Sequence, residues 1–226
     1  MVGYNVQALV DTAHHLIVAH EVVNEGHDRG QLTAMAQQTK ATLQTDDLKV
    51  LADRGYFSGE EIMKCEQAGV TPLVPKPLTN NAATTGRFDK RDFHYDAKRD
   101  RYICPAGEHA IWRFTSIQKG MAIRKYWSSA CPKCAIRNDC TTSDYRRLMR
   151  WEHEAVIERM PQAGRLRRQT VEHTFGTLKS WMGATHFLTK RLPGVRTEMS
   201  LQVLAYNLKR VMQIMGVQPL IAAMRA

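Results

Sequence analysis

The sequence predicts an α/β fold, a sheet flanked by helices, interrupted by a cysteine-bearing insertion. Three observations predict it. Short strand-like segments frame helical ones over residues 1–75. Regular periodicity then fades over 76–160, where four of the five cysteines fall. Helical spacing resumes over 161–226. The expected organisation is therefore a first α/β part (1–75), an insertion subdomain (76–160) and a closing helical part (161–226).

The elements follow in order. Tyr4 to Asp11 alternates apolar and polar residues, as a half-buried strand does. Ala13-His14-His15 makes a turn, and Leu16 to Val23 is a second strand. Leu32, Met35, Ala36 and Leu43 space out like a helix face. Lys49-Val50-Leu51-Ala52 is a short apolar strand that ends on Asp53. Ser58 is a good N-cap, with Glu60 and Glu61 in the first turn, where the helix dipole favours acids. Val70 to Pro75 reads as a strand held to a sheet edge by its prolines. Lys76 to Arg101 reads as a loop, and residues 102–150 are short, aromatic-dotted segments. One helix is expected over roughly 165–182. A second is expected from Thr197, carrying Met199, Val203, Leu204, Leu208, Val211 and Met212.

Composition narrows the function classes. No apolar run approaches the roughly 18 residues that span a bilayer, and the start lacks the pattern of a secretory signal. No membrane partner and a cytoplasmic location are the expectation. The net charge of +10 is unevenly spread. Residues 1–60 hold four Lys/Arg against eight Asp/Glu, whereas residues 159–226 hold 11 against two. A basic C-terminal third beside an acidic first segment suits a polyanion bound next to a cation site; a solvated basic surface is the bland alternative.

Asp53 stands where an apolar strand meets Arg54-Gly55-Tyr56. A carboxylate there is rigidly placed at the edge where α/β sites tend to lie, although many such residues only cap the following turn. Glu172 is flanked by Arg168 four residues before and Lys179 seven after. On a helix these offsets fall within about 40° and about 20° of one face, so the three side chains share a stripe. Two cations beside one acid hold it ionised and offer phosphate contacts; the alternative is a surface ion-pair ladder.

The segments LADRGYFSGEEI and RRQTVEHTFGTLKSW, followed by NLKRVM, resemble blocks of bacterial insertion-sequence transposases of the DDE type. GYNVQALVD, HLIVAHEV and the Asp28 region resemble that family's early strands, so the similarity touches nearly the whole chain. The family's signature around its last acid is Tyr, two residues, Arg, three residues, Glu, six residues, Lys. Arg168, Glu172 and Lys179 match it, whereas Arg165 stands in the Tyr position. The resemblance implies an RNase-H-like mixed sheet and DNA cleavage and strand transfer with two Mg2+ ions about 3.5–4 Å apart. Asp53 would be the second catalytic acid and Glu172 the third, both metal ligands. Arg168 and Lys179 would contact DNA. Element ends and target DNA would be the partners, with a homo-oligomer and a nucleoid-associated location. In related transposases a GYN-type strand follows the strand that carries the first acid. On that comparison the first acid lies upstream of Met1 and the chain is N-terminally truncated; Asp11 is the lesser candidate, and Asp28 poorer still.

Cys104, Cys131, Cys134 and Cys140 form C-x26-C-x2-C-x5-C. They read as ligands of a structural Zn2+ or as reduced thiols in a small subdomain, with His109 a substitute ligand. Cys65, on a helix, reads as a small buried residue. The four tryptophans read mostly as packing, with Trp181 a candidate to stack on a base. Three function classes follow: a metal-dependent transposase, a non-catalytic DNA-binding remnant, and a zinc-stabilised interaction module without a DNA role.

Overall fold

In the computed structural model, residues 3–77, 85–160, 171–180 and 185–225 are described. They form two units, one from Met1–Lys76 with Arg159–Ala226 and the other from Pro77–Glu158.

The first unit opens with strand β1 (Asn5–Val10) paired antiparallel to β2 (Ile17–Val23). The turn between them closes where the Asp11 N–H donates to the Leu16 carbonyl at 2.8 Å. Helix α1 (Leu32–Leu43) buries Leu32, Met35, Ala36 and Thr39, a stripe at the spacing of one helix face. Strand β3 (Leu48–Leu51) leads through a 3-10 turn at Arg54–Tyr56 into α2 (Gly59–Gln67), and then to β4 (Val70–Leu73), parallel to β3. A helix is the usual crossover between parallel strands. Pro72 lacks a ladder N–H, and β4 pairs with β3 alone among the described residues. Ser58 is the N-cap of α2 as expected, although its side chain makes no capping bond. Among the described residues, β1–β2 and β3–β4 are separate ladders rather than one hydrogen-bonded sheet.

The second unit is built on an antiparallel five-stranded sheet. Its strands are β5 (His94–Asp96), β6 (Arg101–Ile103), β7 (His109–Gln118), β8 (Met121–Trp127) and β9 (Leu148–Trp151), in chain order. Short helices α3 (Arg137–Cys140) and α4 (Glu154–Arg159) flank β9 in sequence. Lys119 and Gly120, with φ of 51° and 82°, give the β7–β8 hairpin the double left-handed turn whose twist matches its strands. Phe93, Tyr102, Ala110, Tyr126 and Leu148 form the core of this unit. Asp100, itself left-handed at φ 45°, accepts hydrogen bonds from the Tyr95 hydroxyl at 2.7 Å and the Tyr126 hydroxyl at 2.6 Å. The loop expected over 76–101 thus contains β5, and the aromatic-dotted stretch contains the other four strands. The two-residue period was blurred because β7 (HAIWRFTSIQ) sets large apolar residues on both of its faces.

The chain then returns to the first unit with α5 (Val171–Ser180), α6 (Leu192–Met215) and α7 (Val217–Arg225). Helix α6 starts five residues before the expected Thr197, because Pro193 is tolerated in a first turn. Its Val195, Met199, Val203 and Tyr206 join Val10, Ile17, Val22 and Leu178 in one core. Leu204 and Leu208, expected on that stripe, are exposed. No described helix is long and apolar enough to cross a membrane.

Candidate functional site

The polar face of β1 builds the site of the first unit. Val6, Ala8 and Val10 point into the core shared with α6, which turns Asn5 and Gln7 to the opposite face. There the Asn5 amide donates to Asp28 Oδ1 at 2.7 Å, and the Gln7 amide donates to the same oxygen at 2.8 Å. Gln7 is only 1% exposed, and its own carbonyl accepts from the Tyr56 hydroxyl. One buried amide therefore ties the Asp28 loop to the 3-10 turn that follows Asp53.

Asp53 caps that turn, its Oδ1 accepting from the Gly55 N–H at 2.6 Å. Asp28 borders the same glycine. A Cβ at residue 55 would stand 2.8 Å from Asp53 Oδ1 and 3.1 Å from Asp28 Oδ2. Gly55 lets two carboxylates share one small space beyond the end of β3. Sequence reasoning ranked Asp28 last among the acids and passed over Asn5 and Gln7. The signal was present: two amides at alternating positions of an otherwise apolar strand.

Asp11 is placed elsewhere. It follows β1 and binds the turn, accepting from the Ala13 and His14 N–H groups at 3.2 and 2.7 Å, with His14 Nδ1 at 3.0 Å. Burial pushes its carboxyl upward, but the His14 and Ala13 N–H groups prevail and hold it below the ordinary carboxylate value. The same turn is gripped from α6, inside the NLKRVM block and just before it. The Asn207 side chain accepts from the Ile17 N–H at 2.9 Å and donates to the Ile17 carbonyl at 2.8 Å. Tyr206 Oη donates to the His15 carbonyl and Arg210 Nε to that of His14, each at 2.8 Å.

Glu172 lies in the first turn of α5, which meets the core through Leu178 and the buried Thr174. The Glu172 side chain, Arg168, Arg165 and Trp181 lie outside the described residues. Lys179 is exposed in the last turn of α5.

In the second unit, Cys104, Cys131, Cys134 and Cys140 line a single pocket with Phe93, Ala110 and Arg146. Cys131–Lys133 is a 3-10 turn in which the Cys134 N–H returns to the Cys131 carbonyl at 3.2 Å. His109 instead stands at the start of β7 with Nδ1 3.1 Å from Arg101. Cys65 is fully buried on α2, as expected. Among the described residues, no group of three or more His, Cys, Asp or Glu side chains is disposed as a metal site.

Residues 2–208 match the family described as transposase DDE domain. No curated protein and no solved structure matches the chain.

Proposed function

We propose that this chain, which belongs to the transposase DDE domain family, carries part of an active centre for metal-dependent DNA cleavage and strand transfer. Asp53 and Glu172 are assigned as two of its three carboxylates. The observation that carries the reading is that Asp53 and Asp28 both border Gly55, just past the end of a parallel strand. That end is where α/β folds present their sites. Hard carboxylate oxygens suit Mg2+, and the bound metal supplies Lewis-acid activation of the attacking and leaving oxygens. Asp53 and Glu172 would hold it. Asp28 supplies further negative charge beside Asp53 and is itself fixed by Asn5 and Gln7. Lys179 and Arg168 are assigned to the DNA backbone. The fold is read as RNase-H-like, with Pro77–Glu158 inserted in it, and the lineage as bacterial insertion sequences.

Asp11, engaged with its own turn, is not assigned as the first acid of the family's set. With two acids of three, this polypeptide alone should bind duplex DNA in a steeply salt-dependent way without cutting it. The test is a cleavage and joining assay in Mg2+ and in Mn2+, with anisotropy on the same duplexes. Binding without cleavage is expected. Cleavage abolished by Asp11→Ala would place the first acid in this chain, and absence of duplex binding would remove the duplex-binding expectation.

A further inference from the structure

The sheet of the second unit has two unlike faces. One carries Tyr102, Tyr126 and Leu148 into the core. The other presents Phe114, Lys125 and Met149 in one row across β7, β8 and β9, since Phe114 pairs with Lys125 and Lys125 with Met149. Trp127, in the adjacent row, meets Phe114 edge-to-face at 6.0 Å between ring centroids and Tyr145 at 6.3 Å. Phe114 is 45% exposed and Met149 53%. Phe114 and Met149 left this open on a sheet face, beside the half-buried Trp127 and Tyr145, suit a partner.

Cations are layered onto the same rings. Lys125 Nζ lies 5.1 Å from the centre of Phe114. The guanidinium groups of Arg113 and Arg147 lie 5.5 and 5.9 Å from the centre of Trp127. Strands β7, β8 and β9 contain no Asp or Glu. Flat rings for stacking, interleaved with positive charge on strands that carry no acid, match a chain of unpaired bases on a phosphate backbone. A duplex hides its base faces, so its phosphates alone could be met here, and the rings would gain nothing.

We infer that this face, centred on Phe114 and Trp127 with Arg113, Lys125 and Arg147 around them, binds single-stranded DNA by stacking bases on the rings and pairing phosphates with the cations. The inference rests on the reading of the chain as a DNA-acting protein but involves a surface separate from the carboxylates.

The full chain is titrated against fluorescent (dT)20 and against the dT20·dA20 duplex over a range of salt, with polyglutamate as a competing polyanion. Phe114→Ala, at an exposed position, should weaken (dT)20 binding about tenfold, in keeping with loss of one stacked base, and leave duplex binding within about twofold. Arg147→Ala should lower the salt slope for (dT)20 by about 0.7, one phosphate contact. Ile117→Ala, on the same strand and 70% exposed, should change neither. Equal weakening on both DNAs in Phe114→Ala, or none, overturns the inference. So does polyglutamate competing as well as (dT)20, which would mark a surface for acidic proteins. Duplex binding without (dT)20 binding sinks this inference alone; (dT)20 binding without duplex binding sinks the duplex-binding expectation above and leaves this one standing.

Discussion

Asp28 and Asp53 both border the Cβ position of Gly55, from loops 25 residues apart in sequence. Two like charges so placed repel unless cations or hydrogen bonds compensate them. Asp28 receives two amide N–H groups from β1, and Asp53 receives the Gly55 N–H. The folded chain thus sets two carboxyl groups beside one glycine past a strand end, where the proposed function places a divalent cation.

The first prediction uses that arrangement. Asp28→Asn removes charge while keeping an oxygen for the Asn5 and Gln7 amides. It should weaken Mn2+ binding about tenfold, the lower end of the range for groups that support metal ligands. Thermal stability should hardly change. Mn2+ titration followed by electron paramagnetic resonance, with Asp11→Asn as the comparison, checks it. Equal effects of the two variants would detach Asp28 from the cation site.

Gln7 carries the second prediction. Its buried amide serves Asp28 and Tyr56 at once. Gln7→Leu keeps the volume but removes two hydrogen bonds, the one Gln7 donates to Asp28 and the one it accepts from the half-buried Tyr56 hydroxyl. At about 0.5–1.5 kcal/mol each, their loss costs about 1–3 kcal/mol. Urea unfolding should show a loss of that size, and a change below about 0.5 kcal/mol would mean that water replaces the amide.

These two residues also show what was legible in the sequence. The strand over Asn5–Val10 could be read because its apolar side repeats every second residue. Its partners could not be, since Asp28 reaches Gln7 across 21 positions and no local period records such a meeting. Asp53 was readable from a short apolar run ending on an acid. The sheet of the second unit was not, because both faces of β7 carry large side chains and its solvent face looks like a core. The NLKRVM block was recognisable as a motif, yet its structural work, an asparagine imitating a strand edge, needed the contact with Ile17.

That contact gives the third prediction. Asn207→Ala removes both hydrogen bonds to the Ile17 backbone and should cost about 1–3 kcal/mol. The amide of Ile17 should exchange with solvent markedly faster, while amides in β8 keep their protection. Unchanged exchange at Ile17 would show that β1 pairing alone holds that edge.

The cysteine pocket yields a fourth. If the four thiolates hold one structural zinc, protein prepared without chelator should contain close to one zinc per chain. Cys131→Ser with Cys134→Ser should abolish it. Removing the metal should lower the thermal transition, because a sheet with a small core depends on such a clip. Substoichiometric zinc in freshly purified protein would leave the cysteines as packed thiols.

Glu61 supplies the last prediction. Its side chain, on α2, accepts from the Thr33 N–H at 3.0 Å, so it closes an open donor at the start of α1, where Gln31 makes no side-chain cap. Lys64 Nζ adds an ion pair at 3.0 Å. Burial pushes the carboxyl upward, but the bonds from Thr33 and the Lys64 charge outweigh it, and the folded value falls below the ordinary 4.5. A carboxyl lowered by folding stabilises the native state above its unfolded value, and that contribution fades as pH drops through the folded one. Asp11, Asp89, Asp96 and Asp100 are lowered too, so acid instability of the whole chain is not specific to Glu61. The comparison must therefore be with Glu61→Gln, which keeps an acceptor for Thr33 but cannot titrate. Wild type should be the more stable by a constant margin above pH 5, and the margin should shrink progressively below pH 4.5 in urea titrations. A margin that holds its size down to the acid transition would assign the Glu61 contribution to geometry rather than charge.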